Sequence, residues 1–353
     1  MERCAIHICL VSKQLLPNLL LCCDENRRPE KVILIVTAAM WDPGHWLADL
    51  ICQQGCRVEI VETASYDVVI LQQLLSDLLT QYSASTIAVN VTGGNKLMAM
   101  AAFLESWSRN LPTFYIDTAS DTLWLLGERS QQFPLPDLLK VKLYLQAYGY
   151  SLVSCEGKSI PELVDDCDQW SSSIKALNCY ASMANKSLSQ LQRLLEKFEG
   201  NGLLSLSGDR LVFANESSRV YSNGGWLEQH VFGVVQQLKL DGRIRDVTLN
   251  GVIEDPRGVK NEIDVMFTAR NRLFLIECKT KNMNLESSRV DDMVYKLESL
   301  KGLVGGLFGQ AMVVSYLPVP SADRKRCRSY GIELVDGRKV KELRSQLCQW
   351  IDR

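Results

Sequence analysis

Along the first 140 residues, short runs that are apolar throughout alternate with stretches whose apolar residues recur at helical spacing. "AIHICLVS" predicts a strand, and "KQLLPNLLLCC" a helix despite Pro17. "KVILIVTA", residues 31–38, is a near-continuous apolar strand of the kind a parallel sheet buries on both faces. Helix "GHWLADLICQQG", strand "RVEIVET", helix "DVVILQQLLSDLLTQY" and strand "STIAVNV" follow, with "PTFYI" as a later strand. Strands alternating with helices predict an α/β class and a doubly wound, Rossmann-like sheet. Ligands of such sheets bind at the carboxyl ends of the strands.

A different rhythm runs through "NEIDVMFTARNRLFLIECKTK", residues 261–281. "EIDVMFTA" and "RLFLIECKT" alternate polar and apolar residues around Arg270-Asn271, which predicts a hairpin with a two-residue turn. With Ala269 opposite Arg272, Met266 faces Leu275, Asp264 faces Glu277 and Glu262 faces Lys279, all on one side. Ile263, Val265 and Phe267 then lie across from Cys278, Ile276 and Phe274 on an apolar side. Directly opposed carboxylates repel each other. A shared proton or a hard divalent cation offsets such repulsion. Lys279, on the same face, favours the cation, since its ammonium can hold a water or an attacked phosphate. The plain alternative is a solvated salt-bridge cluster. Upstream, in "SNGGWLEQHVFGVVQQL", Gly224-Gly225 precede an amphipathic helix carrying Glu228 in its first turns.

Between these regions the chain changes character. "PLPDLLKVKLYLQAYGYSLVS", residues 134–154, runs from a proline-flanked turn into a helix, and residues 155–175 are polar and serine-rich, as in a linker. "LNCYASMANKSLSQLQRLLEKFEGNGLLSLSGDRLVFA" reads helix, helix, hairpin, a winged-helix outline. Lys186, Arg193, Lys197 and Arg210 form no dense basic stripe, which favours a spacer over a groove-reading helix. "DRKRCR", residues 323–328, is denser and could grip a phosphate backbone, though such a run is commonly a solvated loop. Three domains result: 1–140, a connector over 141–215, and 216–353.

Composition narrows the chemistry. A net charge of −2 leaves nucleic-acid contact to local basic patches rather than bulk attraction. His7, His45 and His230 are too scattered for a zinc enzyme. The twelve cysteines form no C-x-x-C pair and sit mostly in apolar runs, as Cys9, Cys52 and Cys278 do, which reads as buried free thiols of a reducing compartment. No apolar run reaches the roughly 18 residues of a membrane span, and no secretory pattern opens the chain, so a cytoplasmic protein is expected.

Thr92-Gly93-Gly94-Asn95-Lys96 lies where a strand ends and a periodic helix begins. Converging backbone N–H groups, the helix N-terminus and Lys96 make it a place for phosphate; a capped tight turn is the plain alternative. Neither G-x-G-x-x-G nor G-x-x-x-x-G-K-[ST] is present, which argues against a dinucleotide coenzyme and an ordinary ATPase.

Two family resemblances bear on these sites. A helix glutamate followed by "NEID…IECK" resembles the PD-(D/E)xK nuclease core, with Ile263 where the family name places proline. "VNVTGGNKLMAMAAF" resembles the signature segment of CARF domains, CRISPR-associated Rossmann-fold sensors of cyclic oligoadenylates, with Asn95 where threonine is frequent. The two in this order resemble the ancillary nucleases of type III CRISPR systems: an N-terminal CARF domain, a winged-helix-like connector and a restriction-endonuclease-like α/β domain. The resemblance implies that Asp264, Glu277 and the Cys278 carbonyl hold Mg²⁺ or Mn²⁺, that Lys279 positions the attacking water, and that Glu228 supports the metal site. It also implies that Thr92, Gly93, Gly94, Asn95 and Lys96 line a ligand pocket, met by Ser12 and Thr37 from neighbouring strand ends and by Asp117 and Thr118. The implied activator is cyclic tetra-adenylate, whose two-fold symmetry matches a homodimer. Cleavage without base recognition implies single-stranded RNA and DNA as substrates and nicking of supercoiled DNA. The alternative is a ligand-gated transcription regulator that binds DNA through the winged-helix-like region and uses the C-terminal domain as a scaffold.

Overall fold

The computed structural model describes residues 2–64, 67–153, 189–207, 210–280 and 287–353. Its N-terminal sheet contains β1 (Ile6–Leu10), β2 (Lys31–Val36), β3 (Arg57–Glu62), β4 (Ile87–Asn90), β5 (Thr113–Asp117), β6 (Thr122–Leu126) and β7 (Gln131–Pro134) in the order β3-β2-β1-β4-β5-β6-β7. β1 to β5 are parallel, as the alternation predicts. The order reverses between β1 and β4, the switch point at which doubly wound sheets bind ligands. β6 and β7 extend the sheet antiparallel beyond β5.

Four helices cover this sheet: α1 (Leu16–Cys23), α2 (Trp41–Gln53), α3 (Val68–Thr80) and α4 (Lys96–Ser108). Pro17 lies in the first turn of α1, where its missing N–H leaves no bond unmade. Asp67 caps α3, accepting from the Val69 and Ile70 N–H groups, and Asn95 caps α4, accepting from Met98. α1 and α2 bury Leu19, Leu20, Leu47 and Ile51 on one face, while α3 and α4 bury Leu71, Leu75, Met98 and Ala102 on the other. Of the cysteines expected inside, Cys9 and Cys278 are buried, but Cys52 is exposed on the outer side of α2.

Helix α5 (Val141–Ala147) leads into β8 (Ser151–Val153). β8, which the sequence assigns to the connector, pairs with β11 and forms an edge of the second sheet. The serine-rich stretch 155–175, Lys186 and the first helix of the winged-helix outline lie outside the described residues. Its second helix, Ser189–Gly200, and the hairpin of β9 (Leu204–Ser207) and β10 (Arg210–Phe213) are present. Leu194, Leu195, Phe198 and Leu204 pack into the same cluster as Trp226, Leu227 and Val231, so this module is built into the C-terminal core.

The second sheet adds β11 (Asp246–Glu254), β12 (Lys260–Ala269), β13 (Arg272–Lys279), β14 (Gln310–Ser315) and β15 (Ile332–Asp336), in the order β15-β14-β13-β12-β11-β8. Strands β11 to β13 are antiparallel; β13 to β15 are parallel. Helix Trp226–Leu240 covers one face and helix Ser287–Val304 the other. A single apolar cluster, including Leu15, Tyr144, Met266, Leu275 and Leu300, runs from the first sheet to the second.

Candidate active site and ligand pocket

The hairpin turn is where the pattern puts it. Arg270 and Asn271 take φ values of 51° and 52°, and the rungs run from Ala269↔Arg272 to Val265↔Ile276. Beyond that rung the ladder stops. β12 continues on β11, through Ile263↔Gly251 and Glu262↔Val252, while β13 continues on β14, through Glu277↔Val313 and Lys279↔Ser315. Into the resulting fork Asp264 turns its carboxylate, whose Oδ2 accepts the Cys278 N–H at 2.6 Å. Asp264 and Glu277 therefore meet across a fork rather than on a rung. Glu262, expected opposite Lys279, pairs on its other side with Val252 of β11, and no rung joins it to Lys279.

The expected division into one polar and one apolar side also changes. Both faces of the hairpin are packed: Met266 and Leu275 join Met293 and Leu297, and Val265, Phe267, Phe274, Ile276 and Cys278 line the opposite core. Ile263 packs with Met266 rather than with Val265, so the alternation breaks at Asp264. The rung that would join Asp264 to Asn250 is missing, and Asn250 is left-handed, with φ of 47°.

Glu228 sits in the first turn of helix Trp226–Leu240, as the sequence predicts. The chain enters this helix through a kink at Tyr221–Gly225, where Gly224 has φ of 126°. A Cβ on Gly224 would lie 2.6 Å from the Thr280 hydroxyl, so a bare backbone is what brings the helix start against the end of β13. The Asn250 side chain hydrogen-bonds Glu228, while its buried Oδ1 has no hydrogen-bond partner among the described residues. Asn250 was not among the predicted site residues; its sole sequence signal is a turn-type residue inside a strand-like run.

Charge is concentrated at the fork. Burial pushes the Asp264 carboxyl well above the usual carboxylate range; Glu277 and Glu228 add to the rise, against Lys279 and the Cys278 N–H. Burial also raises Glu228, with Glu262 and Glu277 adding and Lys279 opposing. For Lys279, burial pulls the ammonium pKa down, but Glu277 and Asp264 outweigh it and leave it raised. Lys279 Nζ lies 2.7 Å from Oε1 of Glu277, a residue only 8 % exposed. Lys279 is thus held protonated, as a donor and a fixed positive charge rather than a base.

Among the described residues no three acidic, His or Cys side chains converge into a ready cage for a metal ion. The donor set nevertheless fits a hard dication that keeps several waters, since Asp264 and Glu277 offer carboxylate oxygens whose mutual repulsion a cation relieves. Cys278 contributes its backbone N–H to Asp264, and its thiol is buried.

At the switch point of the first sheet, a groove of about 270 Å³ is lined by Ser12, Lys13, Thr37, Met40, Gly94 and Asn95, among others. Of the expected ligand residues, Ser12, Thr37, Gly94 and Asn95 converge here; Lys13 and Met40 were not foreseen. Gly93 lies against β1 so closely that a Cβ would fall 1.9 Å from the Leu10 carbonyl oxygen. Lys96 is exposed at the first position of α4. Thr92 and Asp117 are engaged elsewhere. Thr92 Oγ1 donates to Asn90 Oδ1 at 2.6 Å and accepts the Ile116 N–H at 2.8 Å, tying its loop to β5. The Asp117 carboxylate accepts from the Ala119 N–H and the Ser120 hydroxyl, which holds its pKa below the usual value and organises the β5–β6 turn. Thr118, in that turn, is buried. The basic run 323–328 lies on helix Ser321–Ser329, where Arg324 pairs with Asp336 and Arg326 with Asp323; Arg324, Lys325 and Arg328 are exposed.

Known proteins match the two ends of the chain separately. Residues 6–148 match the model of the Card1 CARF domain, and residues 215–353 match that of the Card1-like endonuclease domain. No curated protein matches the chain. Among solved structures, Can2 from Sulfobacillus thermosulfidooxidans, in complex with cyclic tetra-adenylate, is 27% identical, with a TM-score of 0.84 over 99% of this chain and 98% of that one. Protein VC1899 from Vibrio cholerae is 26% identical, with a TM-score of 0.86 over 98% of each chain. A type III CRISPR defence DNA nuclease activated by cyclic oligoadenylate shares the fold at 19% identity and a TM-score of 0.59, over 91% of this chain and 47% of its own. With a sensor fold at one end and a forked carboxylate hairpin at the other, each matched by its own family model, the chain joins a CARF domain of the Card1 family to an endonuclease domain of the Card1-like family.

Proposed function

We propose that the protein is a metal-dependent endonuclease of type III CRISPR defence, switched on by cyclic tetra-adenylate, that hydrolyses phosphodiester bonds of single-stranded RNA and DNA and nicks supercoiled DNA. The observation that carries this reading is the fork at which Asp264, Glu277, Glu228 and Lys279 interact. Asp264 and Glu277, with the Cys278 carbonyl, would hold Mn²⁺ or Mg²⁺. Bound there, the ion would lower the pKa of a water and stabilise negative charge on the attacked phosphate. Lys279, protonated by its carboxylate neighbours, orients the attacking water and adds a fixed positive charge beside the phosphate. Glu228 turns its carboxyl toward the same site from the helix side, where it interacts with Lys279 and Glu277. None of these groups reads a base, which supports cleavage of either nucleic acid with little sequence preference.

Support for the activator comes from the groove at Ser12, Thr37, Gly94 and Asn95, and from the likeness to a relative solved with cyclic tetra-adenylate. A homodimer is supported by α4, whose Leu97, Met100, Leu104 and Trp107 are exposed at helical spacing, 42–61 % each. Plasmid and labelled RNA incubated with Mn²⁺, with and without cyclic tetra-adenylate, beside a Glu277→Ala variant, test the reading. Cutting that requires both ligand and Glu277 is expected; cutting indifferent to both refutes it.

A further inference from the structure

The tip of the carboxylate hairpin is gripped by the sensor half. Two-residue turns with both φ values positive favour Asn-Gly, and an arginine in the first position is strained. Here the turn is Arg270-Asn271, and what over-determines it comes from the other domain. Asp137 accepts both turn N–H groups, Arg270 at 2.9 Å and Asn271 at 3.1 Å. The Asn271 side chain accepts the N–H groups of Leu138 at 2.9 Å and Leu139 at 3.4 Å, and donates to the Pro136 carbonyl at 2.9 Å and to Asp121 at 3.4 Å. Arg270 Nε donates to Asp121 at 3.1 Å, and Arg272 to the Ala119 carbonyl at 3.2 Å. Asn271 is 2 % exposed.

Ala119 and Asp121 belong to the β5–β6 turn. That turn is organised by Asp117, at the end of the strand whose Ile116 N–H is bonded to Thr92, beside the ligand groove. A line of hydrogen bonds and the peptide link between Ile116 and Asp117 thus joins the Gly93-Gly94 loop to the base of the hairpin turn at Arg272. From the tip, the hairpin runs about 20 Å to the fork, at roughly 3.4 Å per residue. Both of its faces are packed, with Phe267 and Phe274 stacked 4.7 Å apart, so it moves as a stiff unit. A shift of about 1 Å at the tip then reaches the carboxylates, and misplacement on that scale can cost about a hundredfold in rate.

We infer that Asn271 is a positioning residue: through it the sensor domain sets the Asp264–Glu277 fork, and through it ligand binding controls cleavage. This rests on the reading of the chain as a cyclic tetra-adenylate-activated nuclease.

Asn271→Gly in the full-length chain is the test. Glycine keeps the left-handed turn and removes all four side-chain bonds to the sensor half. The readouts are the cleavage rate in Mn²⁺ with and without cyclic tetra-adenylate, and the affinity for cyclic tetra-adenylate with and without Mn²⁺. The ratio of stimulated to basal rate is expected to fall about tenfold, with basal rate and metal-free ligand affinity within about twofold of the parent. Because coupling is reciprocal, the effect of Mn²⁺ on ligand affinity should shrink in the same proportion. A merely structural role lowers both rates together and leaves the ratio intact, which overturns the inference. A parent that does not respond to the ligand overturns the functional reading and this inference with it; a responsive parent matched by an equally responsive variant overturns this inference alone. Should Asn271→Gly not fold, Asp137→Asn, which loses one of the two turn acceptors, is read by the same ratio: a fall supports the inference and an unchanged ratio overturns it.

Discussion

Replacing Asp264 by asparagine should make the metal-free protein more stable while removing its activity. The substitution keeps the shape of the side chain and an oxygen that accepts the Cys278 N–H; it deletes only the charge. Two unit charges at the usual cross-strand spacing of roughly 5 Å repel by about 3 kcal/mol at an effective dielectric of ~20. Asp264 faces two carboxylates, Glu277 and Glu228, and one ammonium, Lys279, so about one such repulsion is left uncompensated. Because Asp264 is half-buried, solvent screening reduces this to about 1–2 kcal/mol. For a domain of this size that corresponds to a melting temperature roughly 3–6 °C higher. Thermal melts at pH 8 in EDTA, parent against Asp264→Asn, read the gain directly. Repeating them in Mn²⁺ should raise the parent but not the variant, since a ligand that binds only the native state stabilises it by mass action. A variant that melts at or below the parent in EDTA, or that gains as much from Mn²⁺, refutes the reasoning.

Three further outcomes follow from the same geometry. Asp264 and Glu228 both carry folded-state pKa values above their unfolded ones. Between those values the native state binds more protons, so the metal-free protein loses stability as pH rises through that window. The stability gap between Asp264→Asn and the parent should accordingly widen from the ordinary carboxylate range upward, and calorimetry showing a constant gap sinks the assignment. Gly224→Ala meets Thr280 at 2.6 Å in a left-handed conformation, and should cost about 1–3 kcal/mol while slowing cleavage without altering ligand affinity; an unchanged melt and rate would show that the helix start does not depend on that contact. Met100→Glu combined with Leu104→Glu on the exposed stripe of α4 should leave monomers in sedimentation velocity and weaken ligand binding, whereas a persistent dimer would place the interface elsewhere.

Local rules made much of this protein legible before any tertiary contact was known. The alternation of buried strands and periodic helices gave the doubly wound sheet, because an apolar run like Val32–Val36 is stable only when covered on both faces. Strand periodicity and a two-residue turn set the hairpin register through Val265↔Ile276, since a one-residue slip would turn every side chain to the wrong face. Tertiary structure decided what depends on competition between distant partners. β12 follows β11 while β13 follows β14, and that divergence opens the fork and turns Asp264 into it; no periodicity within either strand records a choice made by its neighbours. Thr92 and Asp117 look like ligand residues in sequence; Asp117 bonds its close neighbours Ala119 and Ser120, while Thr92, beside its bond to Asn90, accepts the N–H of Ile116, a partner that only folding brings within reach. The role of Asn250 and the sensor's hold on the Asn271 side chain were illegible for the same reason: the side-chain partners lie far away along the chain, and hydrogen-bond geometry is a property of space rather than of spacing.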